Sequence, residues 1–243
     1  MQILNIAGYK FTELADLSTL KTQFYNECAK LGLKGTILLS YEGVNINLAG
    51  TIQAIQSYKA SLAHDVRFSD MTWRESYSVI VPFKRLKVKL KKEIITLRKP
   101  EIKPQAQKAP QLAPEKFKQW LDENRDIIVL DTRNDYEIEF GSFKNSIHLN
   151  LKHFTDFAKV SSQVAKEKPI VMFCTGGIRC EKAALHMINE GYKDVYQLQG
   201  GILNYFSEVG GSHYDGDCYV FDERVALTPD LEAAINRVMP ACF

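Results

Sequence analysis

The sequence predicts an α/β protein built from two domains that are joined near residue 100. Strand and helix patterns alternate through residues 1–99, and a second series of apolar strands separated by helical stretches fills 115–207. Residues 100–114 lie between them and hold four of the chain's eight prolines, which predicts an extended linker. A chain of 243 residues with 45% hydrophobic content is long enough for two cores of this kind.

The first domain, residues 1–99, has an order of elements that predicts a ferredoxin-like fold. Strands are expected at 3–10, 35–40, 44–49 and 76–81, and helices at 16–31 and 51–62. The segment Tyr41-Glu42-Gly43 joins the second and third strands as a hairpin turn. The resulting β-α-β-β-α-β order is that of a split βαβ domain.

The second domain, residues 115–207, is expected to contain a parallel sheet. Apolar strands are predicted at 127–131, 147–150, 170–173 and 195–198, with helices at 115–124, 155–166 and 180–190. Strands that alternate with helices favour a parallel arrangement, whose binding sites lie at the carboxyl ends of the strands. The remaining residues, 208–243, form a tail in which Thr228-Pro229-Asp230 predicts the start of a helix extending to Ile235.

Composition excludes several classes of protein. A net charge of +2 is too small for a polycation, no run of about eighteen apolar residues predicts a membrane span, and the first residues lack the features of a secretion signal. Five cysteines, an odd number spread widely along the chain, do not predict a disulfide framework. A reducing cytoplasm is the location that this cysteine usage favours.

Cys174 is the strongest candidate for a reactive side chain. It follows an apolar strand and precedes a helix, with Gly176 and Gly177 between them. These glycines allow the following main-chain amides to curl around the sulfur, while the helix N-terminus and Arg179 add positive charge. Both effects favour the nucleophilic thiolate, whereas the alternative, a structural cysteine beside a tight turn, needs no anion-binding surroundings. The predicted active-site loop comprises Cys174, Thr175, Gly176, Gly177, Ile178, Arg179 and Cys180.

Other polar residues have less decisive patterns. Asp131 and Arg133 are expected to support the loop by pairing beside the sheet edge. Cys180 is equally compatible with a resolving thiol and with an inert small residue, and Cys218 and Cys242 are expected to be plain thiols. No spacing typical of a metal site or of a dinucleotide-binding loop is present, and the five histidines are scattered.

A basic segment runs from residue 84 to residue 103, with nine lysines and arginines against two glutamates. Alternation at 87–91 places lysines on one face of a strand. Such an excess is expected of a surface that contacts phosphates, although a solubilising face or a protected sheet edge gives the same pattern. The residues predicted to bind RNA are Lys84, Arg85, Lys87, Lys89, Lys91 and Lys92.

Four segments of the second domain resemble the rhodanese family. They are DTR at 131–133 with the following YE and glycine, NSIH at 145–148, CTGGIR at 174–179 and LQGGI at 198–202. The resemblance implies a persulfide on Cys174, held by the amides of residues 175–180. The four residues between Cys174 and Arg179 form a tighter loop than that of related phosphatases, which disfavours phosphatase activity.

The whole chain resembles the bacterial rhodanese-containing tRNA uridine hydroxylases. GTILL at 35–39 with EGVN at 42–45, and GDCYVFDERV at 216–225, are similar to segments of that family and flank the rhodanese motifs in the same order. The resemblance implies that molecular oxygen is used to form 5-hydroxyuridine at the wobble position of tRNA. It also implies that Cys174 is the active-site cysteine.

The residues alone indicate sulfur chemistry near an anionic polymer, without a flavin or iron motif that would identify a cofactor. A protein that donates a persulfide or electrons is therefore an expected partner besides tRNA. Two alternatives stay open. One is a sulfurtransferase that forms a Cys174 persulfide, and the other is a non-catalytic RNA-binding or scaffold protein.

Overall fold

The computed structural model describes residues 2–234, which divide into two compact units at Ile94 and Ile95. The first unit contains β1 (Ile3–Phe11), α1 (Leu17–Lys30), β2 (Lys34–Ser40), β3 (Gly43–Thr51), α2 (Ile52–Ala63), β4 (Arg74–Ser78) and β5 (Leu86–Leu90). Its strands form one sheet in the order β4-β1-β3-β2-β5. The first four strands have the ferredoxin-like order, which confirms that prediction, and β5 adds an edge strand parallel to β2.

One hydrophobic core fills the first unit. Leu20 and Phe24 of α1 and Tyr58 of α2 pack with alternate residues of the sheet, such as Ile37 and Ile46. The fourth strand ends at Ser78, earlier than expected. It pairs there with Ile3, the first residue of β1, so the chain beyond Ser78 has no strand partner on that side.

The second unit begins with β6 (Gln111–Leu112), α3 (Pro114–Asp122), β7 (Ile128–Asp131), α4 (Asp135–Ile138), β8 (Gly141–Phe143) and β9 (Ile147–His148). It continues with α5 (Phe157–Val160), β10 (Ile170–Phe173), α6 (Ile178–Asn189), β11 (Val195–Leu198), α7 (Gly201–Val209), β12 (Tyr214–Gly216), β13 (Cys218–Tyr219) and β14 (Ala226–Leu227). Its main sheet has the order β6-β11-β10-β7-β9 and is parallel throughout, as predicted. The central strand β10 ends immediately before Cys174.

The proline-rich segment 100–114 is not an extended linker. Ile102 and Ala109 are buried in the core of the second unit, and β6 pairs with β11. Pro110 accepts a hydrogen bond from the main-chain amide of Gln197. Prolines disfavour a helix here, but they leave carbonyl acceptors and allow the apolar side chains between them to be buried.

Two predicted helices differ in the structure. Residues 155–166 form only the short helix α5 between two 3-10 turns, and the chain leaves the helical path at Val164, whose ψ is 133°. Residues 228–234 form no helix, since Leu231 has a left-handed φ of 62° and Leu227 bridges to Ala233. Ile235 and Cys242 lie outside the described residues. Within 2–234, no helix has the length and apolar character needed to cross a bilayer.

Ile102→Ala is expected to lower the free energy of unfolding of the second unit by about 2–4 kcal/mol, because it leaves a cavity in the core. Chemical denaturation followed by tyrosine and tryptophan fluorescence measures this change. The neighbouring Lys103 is exposed, so Lys103→Ala is a matched control with little expected effect. Equal stability of the two variants would show that the segment is an unpacked linker.

Candidate active site

The active-site loop connects the central strand β10 to helix α6. Gly177 precedes the helix with a φ of 95°, a left-handed conformation that favours glycine. The Gly177 amide donates to the Cys174 sulfur, with 3.1 Å between the nitrogen and Sγ. The loop thus places the thiol at the N-terminus of a twelve-residue helix, as the sequence predicted.

The surroundings of the Cys174 sulfur favour its thiolate form. Burial alone raises the pKa of Cys174, but a hydrogen bond from Cys180, the charge of Arg179 and the main-chain amides of Arg179 and Gly177 oppose it. Together they hold the pKa of Cys174 at about 5. This downward shift favours the nucleophilic form of the sulfur.

Cys180 lies in the first turn of α6 and acts on Cys174 directly. Burial raises the pKa of Cys180 well above its ordinary value, and the hydrogen bond with Cys174 raises it further. Cys180 therefore remains protonated and donates a hydrogen bond to the Cys174 sulfur. Its sulfur also lies 3.6 Å from the hydroxyl oxygen of Thr132, which donates to the carbonyl of Phe173.

The Cys174 sulfur is not exposed to solvent in this structure. Cys174 is 0% exposed and packs among apolar residues of the core, including Met172. The loop reaches the surface at Gly176 and Ile178, which are half-buried. A methyl group built at Gly176 meets no atom within 4 Å, so the outer side of the loop is open at this position.

Arg179 forms a buried ion pair that the sequence analysis did not predict. Its guanidinium binds both carboxylate oxygens of Glu137, one of them at 2.7 Å. Glu137 also accepts a hydrogen bond from the hydroxyl of Thr175 at 3.5 Å. The Glu137 carboxylate thereby holds Arg179 and Thr175 beside the sulfur. The positive charge of Arg179 thus interacts with Glu137 as well as with Cys174, whereas the sequence analysis considered only Cys174. The only signal for Glu137 was its place in the first rhodanese-like segment.

Asp131 and Arg133 form a second buried ion pair at the end of β7. The guanidinium of Arg133 lies 2.6 Å from Asp131, and both side chains are 0% exposed. Arg133 also donates to the carbonyl of Gly141, and the hydroxyl of Ser142 donates to Asp131. The pair therefore fixes the path of the chain from β7 to β8, and β7 in turn pairs with β10 up to Phe173.

Helix α7 holds the loop from the other side. The amides of Ile202 and Leu203 donate to the carbonyls of Cys174 and Thr175 at 2.9 and 3.1 Å. A Cβ atom at Gly201 would lie 2.4 Å from the Cys174 carbonyl oxygen, so this position requires glycine. The segment LQGGI at 198–202, noted only as a motif, thus brings α7 into contact with the loop.

The residues predicted to bind RNA all belong to the first unit. Lys87 and Lys89 point to the face of β5 opposite Val88, which is buried in the core. Lys87 is half-buried, and the exposed members of the set are Lys84, Arg85, Lys89, Lys91 and Lys92. Among residues 2–234, no three side chains of the metal-binding types come together.

In comparisons with known proteins, each of the two units matches a known domain family. Residues 3–94 match the model of a UPF0176 acylphosphatase-like domain, and residues 113–208 match that of a rhodanese-like domain. A tRNA uridine(34) hydroxylase of Cupriavidus taiwanensis is 50% identical over 250 residues, covering 100% of this chain and 89% of that protein. The chain belongs to the tRNA uridine(34) hydroxylase family. A member from Thiobacillus denitrificans is 48% identical over 246 residues, covering 98% of this chain and 99% of that protein.

Membership of this family confirms the resemblance that the motifs indicated. The rhodanese-like match covers α3 through most of α7, and it therefore includes Cys174 and the residues described here around the loop. The acylphosphatase-like match covers the whole sheet of the first unit, including β5.

Cys180→Ala is expected to raise the pKa of Cys174, because it removes a hydrogen-bond donor to the thiolate. Cys180→Ser keeps a donor and should raise it less. The rate of alkylation by iodoacetamide against pH measures the pKa, and the wild-type midpoint is expected near pH 5, with the thiolate lost below it.

Cys28→Ala is the matched control for this experiment. Cys28 is also a buried free thiol, but it lies in the core of the first unit. The midpoint of Cys174 should not change in this variant. An unchanged midpoint in Cys180→Ala would show instead that main-chain amides and Arg179 are sufficient to stabilise the thiolate.

Proposed function

We propose that this protein hydroxylates uridine 34, the wobble base of tRNA, and so forms 5-hydroxyuridine with molecular oxygen. The observation that carries the proposal is 50% identity, over the full chain, to a protein named tRNA uridine(34) hydroxylase. The second support is chemical. The second unit contains a thiolate of low pKa on a loop held by two buried ion pairs and by α7.

Cys174 is the catalytic residue in this proposal, and the loop amides hold its anion. Arg179 stabilises the thiolate and orients the loop through Glu137, while Asp131 and Arg133 fix the neighbouring chain. Insertion of one oxygen atom of O2 into a C–H bond requires two electrons and two protons, which convert the other atom to water. A reducing partner protein is expected to supply them.

The exposed lysines and arginines of the first unit are proposed to contact the phosphates of tRNA. Lys89, Lys91 and Lys92 are exposed on or just after an edge strand, where no neighbouring strand covers them. Phosphate contacts of this kind supply affinity without sequence specificity. The four described cysteines are free thiols, which is consistent with a cytoplasmic location.

Sulfur transfer is the second candidate function, favoured by the rhodanese-like match and by the amide-bound thiolate. In this reaction the Cys174 thiolate attacks the terminal sulfur of a donor persulfide. A sulfur–sulfur bond forms at Cys174 as the donor's sulfur–sulfur bond breaks, and the donor leaves as a thiolate. Mass spectrometry of Cys174 after incubation with a persulfide donor would show the addition of one sulfur atom.

Cys174→Ala is expected to abolish 5-hydroxyuridine formation in a strain that lacks the chromosomal gene and carries the variant on a plasmid. Analysis of tRNA nucleosides by liquid chromatography and mass spectrometry measures the product. Cys28→Ala replaces a thiol of equal burial in the other unit and should restore the modification. Normal 5-hydroxyuridine with Cys174→Ala would remove this residue from the mechanism and favour a non-catalytic role.

Charge reversal at Lys89 and Lys91 is expected to weaken tRNA binding and to lower its dependence on salt. Each phosphate contact that is lost should reduce the slope of log Kd against log salt by about one unit. Lys166→Glu with Lys168→Glu is the matched control, because both lysines are exposed and the change in net charge is the same. Equal slopes for the two double variants would leave β5 without a specific role in binding.

A further inference from the structure

Phe221 is an exposed aromatic residue in the segment that follows the rhodanese-like match. It lies in the turn between the short strands β13 and β14, and 57% of its surface is exposed. The residue before it, Val220, is buried, and the residue after it, Asp222, is charged. Phe221 is therefore an exposed ring between a buried apolar residue and a charged one.

The turn that carries Phe221 is held rigidly. The Val220 amide donates to the carbonyl of Val225 at 2.9 Å, and the Val225 amide donates to that of Asp222 at 3.0 Å. The guanidinium of Arg224 binds both carboxylate oxygens of Asp222, and these two side chains are only 9% and 7% exposed. The exposure of Phe221 is thus a fixed feature of the turn, so little conformational entropy would be lost on binding.

Three contacts connect Phe221 to the active-site loop. Its ring centroid lies 5.9 Å from the guanidinium carbon of Arg179 and 5.1 Å from the ring of Tyr219, which it meets edge to face. The carbonyl of Tyr219 accepts a hydrogen bond from the hydroxyl of Thr175, the residue after Cys174. Tyr219 itself is buried against the rings of Tyr136 and Phe140. The packing of Tyr219 therefore positions the Phe221 ring beside the active-site loop.

We propose that Phe221 is the stacking platform on which the target pyrimidine base lies at the Cys174 loop. This inference rests on the proposed function, since an RNA substrate is needed. Unpaired bases of RNA loops are bound by stacking on aromatic rings, and such stacking tolerates any base because every base has a π face. A phenyl ring offers no hydrogen-bonding group, so Phe221 supplies position and affinity. The guanidinium of Arg179, buried in its ion pair with Glu137, lies next to the ring and helps to fix its position.

The test compares two RNAs, an anticodon stem-loop with uridine at position 34 and the same stem-loop with an abasic site there. Phe221→Ala should weaken binding of the uridine RNA by about 5- to 150-fold, the range expected for loss of one stacked base. It should leave binding of the abasic RNA unchanged. Phe221→Trp keeps an aromatic face and should retain affinity. Fluorescence anisotropy with the full chain measures the affinity of the wild type and of each variant for both RNAs.

Tyr25→Ala is the matched control, because Tyr25 is an aromatic residue of the first unit with 50% of its surface exposed. It should bind both RNAs as the wild type does. Equal weakening of both RNAs by Phe221→Ala, or weakening of neither, would overturn the inference, and the second result would favour a protein partner for the ring. A wild-type protein that binds neither RNA would instead overturn the proposed function.

Discussion

The second unit is organised around one constraint, which is that a negatively charged sulfur lies inside a core without contact to water. Burial favours the neutral thiol, so the anion exists only if donors surround it. Gly177, Cys180 and Arg179 supply them, and their combined effect exceeds the cost of burial. Because the hydrogen bonds from Gly177 and Cys180 act only at short range, the ionisation of Cys174 depends on the shape of the loop.

Most buried polar groups near the site stabilise the conformation of the loop and do not contact the sulfur. Glu137 holds Arg179 and Thr175, while Asp131 and Arg133 hold the chain that leads away from β7. Buried ion pairs contribute little net stability compared with apolar residues, yet removal of one partner is strongly destabilising. Their contribution here is therefore a fixed geometry, which a catalytic thiolate requires and a simple core does not.

Local patterns in the sequence were sufficient for the fold class, the order of strands in the sequence and the position of Cys174. They were sufficient because each of these features depends on residues that are close in the sequence. Alternating apolar residues predict a strand, and the glycines at 176 and 177 predict the turn after Cys174. Contacts between distant segments were beyond their reach. Glu137 and Arg179 are separated by 42 positions in the sequence, and no periodic pattern of residues predicts their contact. Ile102 was assigned to a linker because the segment is rich in proline. Composition does not show that the apolar residues between the prolines pack in the core.

The absence of a side chain at Gly201 has a consequence for how this architecture can change. Helix α7 donates two amides to the carbonyls of the loop, and Gly201 approaches so closely that even a methyl group would collide. A loop lengthened by one residue keeps these two hydrogen bonds only if the carbonyls of Cys174 and Thr175 stay in place. The added residue would therefore have to extend outward at Gly176, where a built Cβ meets no atom within 4 Å. Helix α7 thus confines changes in the length of the loop to its outer side.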